Sequence, residues 1–306
     1  MAFSLQRQIE GLGKIDKGIV QGCYLHPVLT LDAHNGACHG VSALEFRIRP
    51  WLDDGLPYQQ RKNARNKEFF EDKEGYRWRS SIEKALESLP PGPRKTVVAD
   101  RESDIYAVLV GLGRDLGVDY VIRSRIDRTL AEGAKLSAFL EDQRILDEMG
   151  MELPAAEGRS ARRARLQLRY AQVELKKTES LTKKVLPAYW KTWVVRVCEA
   201  APTVPKGEQP VSWTLLTSHP VETVAAAWQI VSFYKQRWNI DRTADAADLS
   251  PAQEPLPEVR VEPIVGLRED AETDGGGPDG GCQSAATGAG QGRAHRSVTI
   301  GCLSRA

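Results

Sequence analysis

Two stretches of the 306-residue chain hold side chains whose types and spacing could do chemistry together. In VVADRESDIY, residues 97–106, an apolar strand runs into Asp100 and then into a polar helix start. Ligands of open α/β sheets gather beyond the carboxyl ends of the strands, so a carboxylate there stands where a catalytic group belongs. An Asp at a strand end also serves to cap the turn that follows, and by itself it leaves both roles open. Far downstream, Tyr234, Arg237 and Asp241 are three and four residues apart, which lines a tyrosine, a guanidinium and a second carboxylate along one helix face. Arg123 and Arg125 alternate at the end of the strand after Asp100, toward the same sheet edge. A carboxylate among arginines, with a basic β region nearby, suits a metal-bound phosphodiester.

The elements that must position these residues are legible from pattern. From Gly18 to Pro50 two β-rich runs meet at His34-Asn35-Gly36, a turn sequence between strands. Trp78, Ile82, Ala85 and Leu89 recur at helical spacing before PPGP stops the helix. Lys95–Ala99 then reads as a buried strand, a helix runs from Ser103 as N-cap to about Leu116, and VDYVIRSR is a second strand. Strand, helix, strand in so short a span is a βαβ unit with parallel pairing. Residues 126–212 alternate instead, as in ARLQLRYAQVEL and YWKTWVVRVCEA, which predicts an antiparallel β insertion. WTLLTS follows as a strand, and PVETVAAAWQIVSFYKQRWNI as a long helix with Pro220 in its first turn.

Charge is distributed unevenly beneath a formal net charge of +1. Residues 159–196 hold eleven Lys or Arg against Glu174 and Glu179 only, and Arg162, Arg163 and Arg165 form their densest cluster. From Asp241 to Ala306 the composition changes: all 21 aromatics precede that stretch, which holds ten glycines and five prolines. Such a tail buries too little apolar surface to offset chain entropy and is expected to be disordered. Five scattered cysteines suggest reduced thiols, and neither a signal peptide nor a run of about 20 apolar residues suggests a membrane. Cys23, His26, His34, Cys38 and His39 match no zinc spacing. No phosphate loop, nucleophile elbow or dinucleotide fingerprint is present; GLGRDLG follows a helix rather than a strand.

The segments VVADRESDIYAVL, VDYVIRSR and WTLLTSHPVETVAAAWQIVSFYKQRWNI, with IEGLGKIDKGIVQGCYLHPVLTLDAHNGACHGV, resemble in family order the bacterial insertion-sequence transposases of the DDE type, in the branch marked by Tyr, Arg, Glu and Lys. The likeness runs from about Ile9 to Ile240. It implies an α/β fold, an RNase H-like mixed sheet core interrupted by the β insertion. Residues 1–125 would be the first part of that core, 126–212 the basic insertion, 213–240 the end of the core and 241–306 the tail. It implies Mg²⁺ or Mn²⁺ held by three carboxylates, which activate water or a DNA 3′-hydroxyl for attack on phosphorus. Asp100 matches the second carboxylate, and Tyr234 and Arg237 the signature pair that holds DNA phosphate. Trp213 matches an aromatic used to stack a displaced base; a core role is the alternative. The implied partner is double-stranded DNA at transposon ends, engaged by a homodimer in the bacterial cytoplasm at the nucleoid.

The match also departs from the family pattern. The family's first Asp precedes the segment resembling QRQIEGLG, and neither Glu10 nor Asp16 is in its place. The third acid, Glu, falls on Asp241, and the expected Lys falls on Asp248. The expectation that follows is a truncated start and a frameshift near codon 241, which predicts a protein defective in cleavage. The other expectation is a DNA-binding or regulatory fragment that has no catalysis of its own.

Overall fold

The computed structural model describes residues 2–4, 9–15, 20–49, 57, 59–60, 63, 69–92, 94–155, 158–178, 186–247 and 297–302; of 2–4, 238–247 and 297–302 it describes the backbone. A small antiparallel sheet joins β1 (Ala2–Ser4), β2 (Gly13–Ile15) and β3 (Val20–Gly22) in the order β1-β3-β2.

The large sheet begins with the expected hairpin, β4 (Tyr24–Asp32) and β5 (Cys38–Arg47). Its turn is built by Asp32, whose carboxylate accepts from the backbone N–H groups of His34 (2.8 Å) and Asn35 (3.1 Å), and Gly36 supplies the positive φ of 74°. Helix α1 (Arg77–Ser88) buries Trp78, Ile82 and Ala85 against this hairpin.

The βαβ unit follows, with β6 (Arg94–Ala99) and β7 (Asp119–Arg123) paired in parallel. Its crossover is not one helix capped by Ser103. A 3-10 turn, Arg101–Ser103, comes first, Asp104 leaves helical geometry, and α2 (Tyr106–Val110) starts two residues later and widens into a π-helical turn at Gly111–Asp115. Ser103 spends its hydroxyl on the Asp100 carbonyl (2.7 Å) instead of capping. The π turn lies under Trp190, where a Cβ on Gly113 would come within 2.8 Å of the indole.

Residues 126–212 contain α3 (Leu136–Glu141) and three long antiparallel strands, β8 (Asp147–Leu153), β9 (Arg162–Lys176) and β10 (Tyr189–Glu199). They extend the large sheet through β11 (Ser212–Thr217), which pairs with both β10 and β7. Helix α4 (Val224–Ala247) then crosses one face. Thr223 caps it through a bond from the Ala226 N–H to its hydroxyl (3.1 Å), so Pro220 lies before the helix rather than in its first turn.

The tail departs from expectation in two places. Residues 241–247 prolong α4, and β12 (Ser297–Cys302) is a strand in the middle of the sheet. It runs parallel to β6 and antiparallel to β4, giving the order β5-β4-β12-β6-β7-β11-β10-β9-β8. Three consecutive β-branched residues in SVTIGC, Val298, Thr299 and Ile300, suit a strand, and alanines favour the helix extension. Residues 248–296 lie outside the described residues. The architecture is a mixed α/β one.

Two cores sandwich the large sheet. Val98, Val121, Leu215, Val195, Val197, Leu166 and Leu168 pack under α4 residues Ala227, Ile230, Val231 and Tyr234. The alternating residues Val97, Ala99, Tyr120, Ile122, Leu216 and Val194 face α1 and α2. Among the described residues, no helix is long and apolar enough to cross a membrane.

His26 on β4 is buried edge-on against Trp78, with ring centroids 4.7 Å apart. Burial first, and the Arg77 guanidinium second, hold its pKa down from 6.5 to about 4. The unfolded chain takes up this proton below 6.5, so the contribution is whole above that pH and is lost as pH falls from 6.5 to about 4. A full shift of this size corresponds to no more than about 3.5 kcal/mol. His26→Phe is expected to flatten the pH dependence of urea midpoints across that window; an equal slope in both proteins would refute the assignment.

Candidate functional site

Asp100 and Tyr234, 134 residues apart, meet in the folded chain: the Tyr234 hydroxyl donates to Asp100 Oδ1 at 3.1 Å. The strands explain why. Asp100 continues the alternation of Val98 and Arg123 that of Val121, so both project on the α4 face at the carboxyl end of β6 and β7. Tyr234 descends onto that end from α4, and the Arg237 guanidinium lies 5.7 Å from its ring centroid. Arg123 donates to the Ser212 carbonyl (3.2 Å) and also interacts with the Tyr234 phenol. Burial first and the Asp100 carboxylate second raise the pKa of the phenol, keeping it a donor at neutral pH.

The end of β6 is held by a second acid. Asp104, 6% exposed, accepts from the Ser124 hydroxyl (3.2 Å), the N–H groups of Arg125 (2.7 Å) and Ile126 (3.3 Å), and the guanidinium of buried Arg128. Both carboxylate oxygens are occupied, so Asp104 is a structural clamp. It ties the loop after β7 to the loop after Asp100, which sets Arg123 and Asp100 relative to each other.

No protein-family model matches this chain.

The structure separates the remaining candidates. Trp213 is 5% exposed, with its ring edge-on to Tyr234 at 5.4 Å, so of its two readings the packing supports the core role. β7 ends at Arg123, so the alternation that would align Arg125 with it stops, and Arg125 is exposed on the following loop. Arg162 does not join a basic surface. It turns to the face of Ala164 and Leu166, where its guanidinium binds Glu199 at 2.8 Å through two nitrogens and also Glu208. Arg163 and Arg165 alternate to the opposite face, away from α4 and from Asp100, and lie 3.7 Å from Glu152 and 3.3 Å from Glu148. The basic insertion therefore does not surround the carboxylate. Asp241 lies on α4 in helical register with Tyr234, about 10 Å further along the axis at 1.5 Å per residue; its side chain is outside the described residues.

Fit to divalent ions follows from the donor set. Asp100 gives one carboxylate, with one oxygen engaged by Tyr234, and among the described residues the other charges acting on that tyrosine are the cations Arg123 and Arg237. Among the described residues, no three His, Cys, Asp or Glu could hold a metal, the hairpin cysteines and histidines included. The strand beside β6 and the four residues after it, SVTIGCLSRA, contain no acid. The described residues do not fit a two-metal centre; they fit an anion presented to two guanidinium groups beside a tyrosine.

Sequence reasoning missed Asp104, Arg128 and Gln236. Asp104 lay in plain view four residues after Asp100, but one Asp looks like another until its donors are known. Gln236 anchors α4 by donating to the Ala33 carbonyl at the hairpin turn (2.9 Å), which no local pattern announces.

Proposed function

We propose that the chain is a DNA-binding protein of the insertion-sequence DDE transposase kind, on an RNase H-like core, with its own strand-cleavage chemistry impaired. The Tyr234 to Asp100 hydrogen bond carries this reading: it joins two of the motif segments on which the resemblance rests, with Arg123 and Arg237 at the same sheet end. The antiparallel hairpin, the parallel pair β6 and β7 and the helix across them support the core assignment. Arginines here would grip phosphate oxygens of double-stranded DNA at transposon ends through paired N–H donors, and Tyr234 would orient Asp100.

Impairment rests on the residues themselves. Asp241 is one methylene shorter than the glutamate of the pattern, and the strands flanking β6 bring no acid toward Asp100. The same arrangement favours the second reading, binding without cleavage, because two cations and one acid make a better phosphate grip than a metal cradle.

Binding of a fluorescein-labelled DNA duplex, followed by anisotropy across a salt series, tests the reading. Wild type should bind with strong salt dependence, and Arg237→Gln should lower the slope of log K against log salt by about 1. Incubation with Mg²⁺ or Mn²⁺ should leave the duplex uncut. Salt-insensitive or absent binding would remove the DNA assignment, and cleavage abolished by Asp100→Asn would remove the impairment.

A further inference from the structure

We infer that Arg169 on β9 and Arg196 on β10 form a phosphate subsite on the sheet face away from α4, a second grip on the DNA backbone. This deepens the nucleic-acid reading above and rests on it.

The two arginines are direct cross-strand partners on one face. Like charges placed opposite each other destabilise a sheet unless something neutralises them. Each neighbouring arginine on β9 has its carboxylate: Arg162 has Glu199 and Glu208, Arg163 has Glu152, and Arg165 has Glu148. Among the described residues the carboxylate partner of Arg196 is Glu141 alone, 3.9 Å away on a side chain 70% exposed. Its Nε donates to the Cys198 sulfur at 3.2 Å, a weak acceptor. Arg169 uses its Nε on the Gln143 carbonyl (2.8 Å) and has no carboxylate partner among the described residues. Both side chains are half-buried, so solvent screens their repulsion incompletely.

The remaining donors are placed for an oxyanion. Thr214 on β11 is the register partner of Arg196 on its other side, and Ser212, exposed on the same face, pairs with Cys198. Two guanidinium forks beside two hydroxyls match the oxygens of a phosphodiester. In register, the row through Arg169, Arg196 and Thr214 lies one residue beyond the row of Asp100 and Arg123, at the same end of the sheet. Three to four strand spacings of about 4.8 Å separate the pair from Asp100, about 14 to 19 Å. At about 3.4 Å of rise per phosphate on one strand, a duplex crossing the sheet end would reach both places four to six phosphates apart.

Two measurements on the full chain decide this. The first is thermal melting in sodium phosphate against sodium chloride at equal ionic strength. Phosphate should raise the wild-type Tm and leave the Arg169→Gln/Arg196→Gln double variant unmoved. In chloride Arg196→Gln alone should melt no lower than wild type, because it relieves a repulsion. The second is duplex-DNA anisotropy, in which the double variant should lose about 1.8 from the salt slope, while Arg163→Gln/Arg165→Gln, whose charges are already partnered, loses less. Equal phosphate stabilisation of wild type and double variant would overturn the subsite, as would a phosphate effect with an unchanged DNA slope, which marks an adventitious ion only. If wild type binds no duplex, the proposed function fails, and a phosphate effect would then show an ion site with no nucleic acid, again overturning the inference.

Discussion

Asp104→Ala is expected to destabilise the protein by about 3 to 5 kcal/mol, the range seen when one partner of a buried ion pair is removed. The Asp104 and Arg128 side chains are 0% and 2% exposed, so deletion of the carboxylate strands a guanidinium with no route to water. It also removes the acceptor for the Arg125 and Ile126 N–H groups and the Ser124 hydroxyl. Urea unfolding followed by circular dichroism measures the loss. The double variant Asp104→Leu/Arg128→Met should recover much of it, because the cost lies in the unpaired charge more than in the missing attraction. A single-variant loss below about 1 kcal/mol would mean that the clamp is open to solvent. Because it fixes the loop after β7, its failure should also displace Arg123 and weaken the proposed DNA binding while leaving Arg237 in place.

Removal of residues 297–306 is expected to abolish the cooperative melt of the large sheet. β12 stands between β4 and β6, pairing Val298–Cys302 with Asp32–Val28 on one side and Ser297–Cys302 with Arg94–Ala99 on the other. Without it, both neighbours present unpaired N–H and C=O groups in the interior, each costing about 1 to 3 kcal/mol when unsatisfied. A truncated protein should therefore lose its sharp thermal transition, and its β4 and β6 amides should exchange hydrogen rapidly. An added SVTIGCLSRA peptide should restore protection. A truncation that melts like wild type would show that those backbone groups find partners elsewhere.

How far the site could be read from the sequence depended on the range of the interaction involved. The hairpin turn was legible because Asp32, Asn35 and Gly36 carry the turn in their own side chains and φ angles. Asp100 was placed at a strand end, and Tyr234 and Arg237 on one helix face, by local periodicity, and the folded chain brings these segments together. The helix after Asp100 was misread at its start because Ser103 resembles a cap, whereas Asp104 breaks the helix to reach Arg128 across the fold.

Residue types and their two periods determined the strands β4 to β7 and β9 to β11, the helix stripes and the segments bearing Asp100 and Tyr234, because each depends on neighbours within a few positions. Tertiary structure alone decided which arginines share a face with Asp100. Arg162, Arg163 and Arg165 look equivalent in the text, yet one residue of register sends Arg162 to the carboxylates of Glu199 and Glu208 and its neighbours to the opposite face. It also decided that a segment from an apparently structureless tail fills the centre of the sheet, since strand order is set by hydrogen bonding between residues hundreds of positions apart, where no local pattern reaches.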